Sequence, residues 1–424
     1  MLTLLYARAG QEIRRELLER LGASPAQRRL LLVPEQYSHE SERAMCQVLG
    51  NGASRTCEVL SFTRLAGRLR EVAGGGAAPV LDGGGRMLLM YAALRQCAPQ
   101  LRIYRSPSRK PAFLTHVLAT IDECKSCCVQ PQQLLEAGEE LGGQQGDKWR
   151  DIGLLYAAYE ALAAQGAADP RNRLDVLAQQ LTETGWAQGK EIAVFGFTDF
   201  TPQEEQVLEQ LIAQAHVTVA LVCDPDNDPE GIFEPALRAA SRLKRLARRG
   251  GTGVEEQTLH RPQPSHSALS WMEGHLYGPL PDPWTAECPV TLAQASTPRQ
   301  EVEWAASEIV ALLRRGDVRC RDIVVCPRRL EGYGELVESV FAQYGIPVYL
   351  SAMEDVLRHP VLALVTSALA AAAQDYPYEE LFRYLKTDLT PLTQEERDAL
   401  ENYVLTWNIK GSLWTRKKPW NMHP

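Results

Sequence analysis

No stretch of the 424 residues reaches the roughly 20 consecutive apolar residues of a membrane span. The opening Met1-Leu-Thr-Leu-Leu-Tyr6 is too short for a secretory leader and is followed by Arg8 rather than a cleavage site. The expected location is therefore the cytoplasm, with no membrane partner. Positive charge is also in deficit: the net charge of −8 argues against a generally basic nucleic-acid coat. A local basic channel stays open, because steering depends on where the charges sit. Metal-ligand spacings are missing too. Ten cysteines are scattered, and the one tight group, Cys124-Lys-Ser-Cys127-Cys128, has no second Cys pair or His pair to complete four ligands. It reads as structural thiols, and the lone His116 and His359 read as packing or surface groups. There is no Ser/His/Asp arrangement and no glycine-rich phosphate cradle.

What is present is ordinary for a globular protein: 45% apolar and 23% charged residues, enough chain for two or three domains. Leu2–Tyr6, Leu30–Val33 and Cys57–Leu60 read as buried strands, each followed by a loop and a helix (Gln11–Leu21, Ser41–Leu49 and the run after Ser61). Three such units imply a parallel sheet with helices on its faces. Gly74–Gly76 and Gly83–Gly85 interrupt this pattern, and Arg86 to about Gln180 is helical almost throughout. The sheet resumes at Glu191–Phe195 and His216–Cys223, then comes an arginine-rich helix, Pro235–Arg249, and a Pro/His/Ser-rich connection at 260–290. Strands at Val290–Ala295, Ile323–Cys326 and Pro347–Leu350, with helices at Glu301–Arg314 and Glu335–Tyr344, suggest a second α/β unit. The rest reads as helical without a closing element, as if the natural chain continues.

The stretch Glu191 to Glu205 is the organising one. A strand ends at Phe195-Gly196, and Thr201-Pro202 with Glu204 form an N-cap, a first-turn proline and a capping-box partner. In an ATP-driven motor a metal-binding carboxylate would follow that strand, and here Phe195 and Gly196 stand instead. The loop after the first strand, Arg8-Ala-Gly10-Gln-Glu12-Ile13-Arg14, has the placement of a phosphate loop without its groups. Ile13 stands where the lysine should be, and Glu12 would repel phosphate. Both departures argue against bound ATP.

Val33-Pro-Glu-Gln-Tyr-Ser38 and Leu60-Ser-Phe-Thr-Arg-Leu65 lie at the carboxyl ends of adjacent strands. Gln36 and Ser38 can hydrogen-bond base edges, Phe62 can stack a base, and Arg64 can bind a guanine edge or a phosphate. Phe62 as a core ring and Arg64 as a surface charge is the competing reading. The arginine-rich helix (Arg238, Arg242, Lys244, Arg245, Arg248, Arg249) is a solvated face or a phosphate contact.

The order of these stretches resembles the UvrD-like superfamily 1 helicases. More closely, Leu32-Val-Pro-Glu-Gln-Tyr-Ser38, Glu58-Val-Leu-Ser-Phe-Thr-Arg-Leu-Ala66, Phe195-Gly-Phe-Thr-Asp-Phe-Thr-Pro-Gln-Glu204 and Arg321-Asp-Ile-Val-Val-Cys-Pro-Arg328 resemble the AddB family. Its members form one half of a bacterial helicase–nuclease of double-strand break repair. Pro298–Glu303, Tyr344–Pro347, Arg358–Pro360 and Leu400–Leu405 extend the similarity along the chain.

The resemblance implies an α/β fold. It consists of a RecA-like 1A domain (1–80 with 188–285), an all-helical 1B-like insertion (81–187), the start of a second RecA-like 2A domain (286–385) and the beginning of a 2B-like helical region (386–424). It also implies single- and double-stranded DNA and the helicase–nuclease AddA as partners. The displaced strand would be scanned for the regulatory Chi sequence through Gln36, Ser38, Phe62, Arg64 and Phe200. The degenerate nucleotide site would comprise Arg8, Gly10, Ile13, Arg14, Phe195 and Gly196, with no catalytic residue and no metal in this region. A 4Fe–4S cluster and a magnesium-dependent nuclease belong, by the same resemblance, beyond residue 424. Two departures from the family pattern are Glu12-Ile13-Arg14 in place of Gly-Lys-Thr and Gly67 where an aromatic can follow Arg64 by three residues. An active superfamily 1 helicase and a scaffold for AddA are the alternatives.

Overall fold

A computed structural model describes residues 1–8, 13–26, 28–72, 79–105, 111–226, 228, 231–259, 268–275, 283–350, 356 and 359–422. The expected Gly74–Gly76 break, Gly10, Glu12 and Arg358 lie outside the described residues, as does most of the loop between Arg105 and Pro111. The chain forms two compact units, Met1–Pro289 and Val290–Pro424.

The first unit is built on β1 (Leu2–Ala7), α1 (Ile13–Ala23), β2 (Arg29–Leu32), α2 (Ser38–Leu49), β3 (Cys57–Leu60) and α3 (Phe62–Val72). It continues through α4 (Gly83–Cys97), α5 (Pro111–Ser126), α6 (Pro131–Leu141), α7 (Gly143–Ala163) and α8 (Arg173–Thr184). Then follow β4 (Glu191–Val194), α9 (Pro202–Gln214), β5 (His216–Val222), α10 (Glu234–Arg249), β6 (Val254–Thr258) and α11 (Ala268–His275). The strands make one sheet in the order β3-β2-β4-β5-β1-β6, and every pairing is parallel.

All six residues of β1 are buried, as a parallel strand covered on both faces requires. Alternate side chains serve opposite cores. Leu2, Leu4 and Tyr6 join Leu30, Leu32, Ile192 and Val194 beneath α3, α8, α9 and α10. Leu5, Ala7, Leu31, Ala193 and Ala220 face α1 and α2. The chain is thus an α/β protein with a RecA-like parallel sheet and a helical insertion. The sequence pattern missed β6, because Val254-Glu-Glu-Gln-Thr258 is an edge strand with mostly exposed side chains and no apolar alternation. Helix α11 lies inside a stretch expected to be plain connection.

The insertion carries its own core, from Met90 and Ile121 to Leu155 and Tyr159. Within it the Asp151 carboxylate accepts the backbone N–H groups of Arg102, Ile103 and Tyr104 at 2.9, 2.8 and 3.1 Å, fixing the turn after Leu101. Asp169 is enclosed by Lys125 at 2.8 Å and the Tyr159 hydroxyl at 2.8 Å, with Arg86 at 3.3 Å. Burial alone would raise its pKa, yet the donors from Lys125, the Arg171 backbone and Tyr159 hold it below the ordinary value.

The second unit contains α12 (Pro298–Arg315), α13 (Gly334–Gln343), α14 (Pro360–Ala373), α15 (Tyr378–Leu385) and α16 (Gln394–Trp407). The strands expected at Val290–Ala295, Ile323–Cys326 and Pro347–Leu350 do not form. A strand is stable only in a ladder, and no described segment pairs with these. Several of their apolar side chains stand in solvent, Leu292 97% and Tyr349 90% exposed, while Ile323 and Leu350 pack against the core formed by α12 and α13. Among the described residues no helix is long and apolar enough to cross a membrane.

Candidate nucleic-acid interface

At the carboxyl edge of the sheet crevices open where neighbouring strands send their helices to opposite faces, and two of them flank the expected site residues. The first lies between β1, followed by α1, and β5, followed by α10. The second lies between β2, followed by α2, and β4, followed by α9. Such switch points are where open α/β sheets place ligands.

The β1/β5 crevice is closed by its own charges. Arg8, directly after β1, donates from Nε to the Glu273 carboxylate at 2.9 Å and lies 3.7 Å from Asp224, which follows β5. Its guanidinium also sits 5.6 Å from the Phe233 ring centroid. Ile13 is 5% exposed and packs into the core beneath α1. Arg14 pairs with Glu40. Phe195 is half-buried in the same core, and its N–H donates to Leu32 O at 3.0 Å, so no carboxylate follows β4. Asp199 accepts the Phe200 N–H at 2.8 Å and is paired with Arg242, which also grips Glu205. The described groups around this crevice offer no unengaged cation to a phosphate, and Asp224 would repel one.

The β2/β4 crevice is built differently. A helical turn at Glu35–Tyr37 caps β2 and leaves Gln36 and Tyr37 exposed. Ser38 begins α2 and is 8% exposed, and its Oγ has no hydrogen-bond partner among the described residues. Buried hydroxyls are nearly always paired, so this one is an unsatisfied group at the crevice. Ser61 ties the neighbouring loop in, donating to the Glu35 carboxylate and accepting the Arg64 N–H at 3.2 Å. Gly196 closes the third side. It has φ +89°, and a Cβ there would meet Pro34 Cδ at 3.1 Å and Tyr37 Cδ2 at 3.4 Å, so only glycine lets the loops approach. Arg64 is exposed, with Glu42 at 3.4 Å its one ion-pair partner among the described residues, a pair worth about 0–1 kcal/mol that a phosphate could replace.

The aromatic residues occupy unexpected places. Phe62 (5% exposed) and Phe200 (4%) are core rings, joined through Phe197 at centroid distances of 5.5 and 5.1 Å. Neither offers a free face in this arrangement, which corrects the expectation that they present one to a base. The reason is Phe197, whose ring fills the space between them and whose role no periodicity announced. Tyr37, between Gln36 and Ser38 and 45% exposed, is the aromatic at the surface. The signal for it was available as an aromatic in a loop between a strand end and a helix start.

The capping box expected at Thr201 and Glu204 is formed, with Thr201 N–H to Glu204 at 2.8 Å and Glu204 N–H to Thr201 Oγ1 at 3.3 Å. On α10 three of the six basic residues are engaged, Arg238 with Glu234, Arg242 with Asp199 and Glu205, and Lys244 with Glu256, whereas Arg245, Arg248 and Arg249 are exposed. Ala236, Ala239, Ala240, Leu243 and Ala247 form its buried face.

The family model for ADDB, N-terminal, matches residues 6–273. The chain belongs to this family. Curated relatives support the assignment over the remainder. A protein from Pelotomaculum thermopropionicum, named as the B subunit of an ATP-dependent helicase/deoxyribonuclease, is 37% identical over 426 residues, 97% of this chain and 36% of the relative. Proteins of the same name from Acetivibrio thermocellus (33% identical, 100% of this chain, 38% of the relative) and Heliobacterium modesticaldum (35%, 96% and 35%) behave alike. The chain therefore spans little more than a third of the length of these relatives.

Among the described residues of this ADDB amino-terminal region, no group of three or more His, Cys, Asp or Glu is arranged to hold a metal ion. Cys124 is buried and Cys128 half-buried, and burial pushes both thiols up, away from the thiolate form a ligand needs.

Proposed function

We propose that this chain is the helicase-like, non-hydrolysing region of an AddB protein that binds single-stranded DNA and reads the Chi sequence during double-strand break repair in the cytoplasm, alongside AddA. The observation that carries the reading is the contrast at the sheet edge. The buried, unpartnered Ser38 Oγ lies beside exposed Gln36, Tyr37 and Arg64 in one crevice, whereas the nucleotide position is filled by the Arg8–Glu273–Asp224 cluster. Gln36 and Ser38 would read base edges, Arg64 would take a base or phosphate, and Tyr37 would supply the stacking face. Phe62 and Phe200, with Phe197, would support the loops that carry these groups. Duplex DNA would reach the complex before the strands part. ATP would not bind this region. A 4Fe–4S cluster and nuclease magnesium would belong to the part of the relatives' length that this chain does not span.

The test is Chi-dependent cleavage by the parent complex carrying Gln36→Ala, Ser38→Ala and Arg64→Ala. The expected result is loss of the Chi response with cleavage retained. An unchanged response would leave the region as a scaffold for AddA. ATP hydrolysis that is lost on changing residues 8–14 would instead make it an active motor.

A further inference from the structure

The opposite, amino-terminal edge of the sheet holds a second feature. A cavity of about 240 Å³ lies between the starts of β2, β3 and β4. Arg28, Arg29, Arg55, Arg68 and Lys190 line it against one carboxylate, Glu58, in a chain whose net charge is −8. Arg68 is held by Glu58 at 3.2 Å and Glu71 at 3.4 Å. Arg28 and Arg55 are exposed, and neither side chain has an ion-pair or hydrogen-bond partner among the described residues. Arg29 donates to Ser24 O at 2.7 Å, but its Nε is buried with no acceptor. Lys190 sits 3.8 Å from the Trp186 ring centroid, and burial together with the nearby Arg28 charge pushes it below its ordinary pKa.

A solvated basic face would not bury an arginine Nε–H without an acceptor, nor set a half-buried lysine, held by the Trp186 carbonyl, beside Arg28. Both features are relieved by one anion in the cavity. Guanidinium forks suit phosphate oxygens, and the volume is below the roughly 300–1,000 Å³ of pockets for drug-sized ligands.

From this clustering of cations around one small cavity we infer a phosphoryl-binding site at the amino-terminal edge of the sheet, separate from the Chi-reading surface. A DNA backbone phosphate and a free diphosphate present the same group to it. The site does not depend on the proposed function, because the free-diphosphate case needs no DNA.

The experiment uses the full chain and an Arg28→Gln, Arg55→Gln variant, with Arg238→Gln, Arg245→Gln as a control of equal charge change. Arg55→Gln alone serves if the double variant melts early. Melting temperature is read with and without pyrophosphate, and affinity for a single-stranded oligonucleotide is read across a salt series. A free diphosphate ligand predicts a pyrophosphate-dependent rise in Tm that the variant loses and the control keeps. A DNA backbone ligand predicts a salt slope reduced by about 1.4 in the variant, about 0.7 for each lost contact. If the variant matches the unaltered chain in both measurements, the site does not exist.

Discussion

The two crevices at the carboxyl edge of the sheet share a scaffold and differ in what fills them. Between β1 and β5, Arg8 is spent on Glu273 and Asp224, and Ile13 is sealed in the core. Between β2 and β4, the groups able to bond a ligand are exposed or, at Ser38, buried and unsatisfied. Internal pairing removes a group from the supply available to a ligand, and its absence leaves one poised. On the proposed reading, a motor-like sheet keeps its geometry while one switch point loses nucleotide chemistry and its neighbour keeps contacts suited to a strand of DNA.

The largest effect expected from breaking this contrast is at the aromatic cluster. Phe200→Ala removes a buried ring and should lower stability by ~3–5 kcal/mol, measured as a fall in the urea midpoint. A ring that acted mainly by stacking on DNA would instead leave that midpoint unchanged and cost affinity alone. Gly196→Ala comes next. Its φ of +89° and the 3.1 Å approach to Pro34 predict a loss of ~1–3 kcal/mol with weaker single-strand binding, by denaturation and titration on the same variant. At the closed crevice, Arg8→Gln leaves two carboxylates without their partner. A loss of about 1 kcal/mol should follow, with no gain of nucleotide binding by calorimetry.

Ser38→Ala sharpens the comparison through its sign. Removing an unsatisfied buried hydroxyl should leave stability equal or raise it by about 1 kcal/mol, while oligonucleotide affinity falls. A plain structural serine would lose stability and keep affinity. The smallest stability effect belongs to Arg64→Ala, within about 0.5 kcal/mol because its pair with Glu42 is exposed. Its salt slope for single-stranded DNA should drop by about 0.7 if it meets a phosphate.

Much of the sheet was legible because its strands are short, mostly apolar runs followed by loops and helices. Thr201 with Glu204 and the Leu30–Leu32 run are cases in which local chemistry and tertiary role agree. β6 was not legible, since an edge strand needs no apolar face to pair through its backbone. The second unit erred the other way. Its apolar runs at 290–295, 323–326 and 347–350 have strand composition, but composition cannot supply a ladder partner. At the candidate site, Gln36, Ser38 and Arg64 were readable from their places after strands. The burial of Phe62 was open to either reading, because it depends on Phe197 arriving from the loop after β4, separated from β3 by the whole helical insertion. Tyr37 was passed over although its position marked it.

The most direct measurement of the contrast is photocrosslinking of a single-stranded oligonucleotide carrying thiothymidine to the full chain, with the attached peptides mapped by mass spectrometry. Crosslinks at residues 35–39 and 61–64 are expected, with none at Arg8 or Asp224. Crosslinks concentrated at the β1/β5 crevice, or none near Tyr37 and Arg64, would contradict the assignment of the β2/β4 surface to DNA.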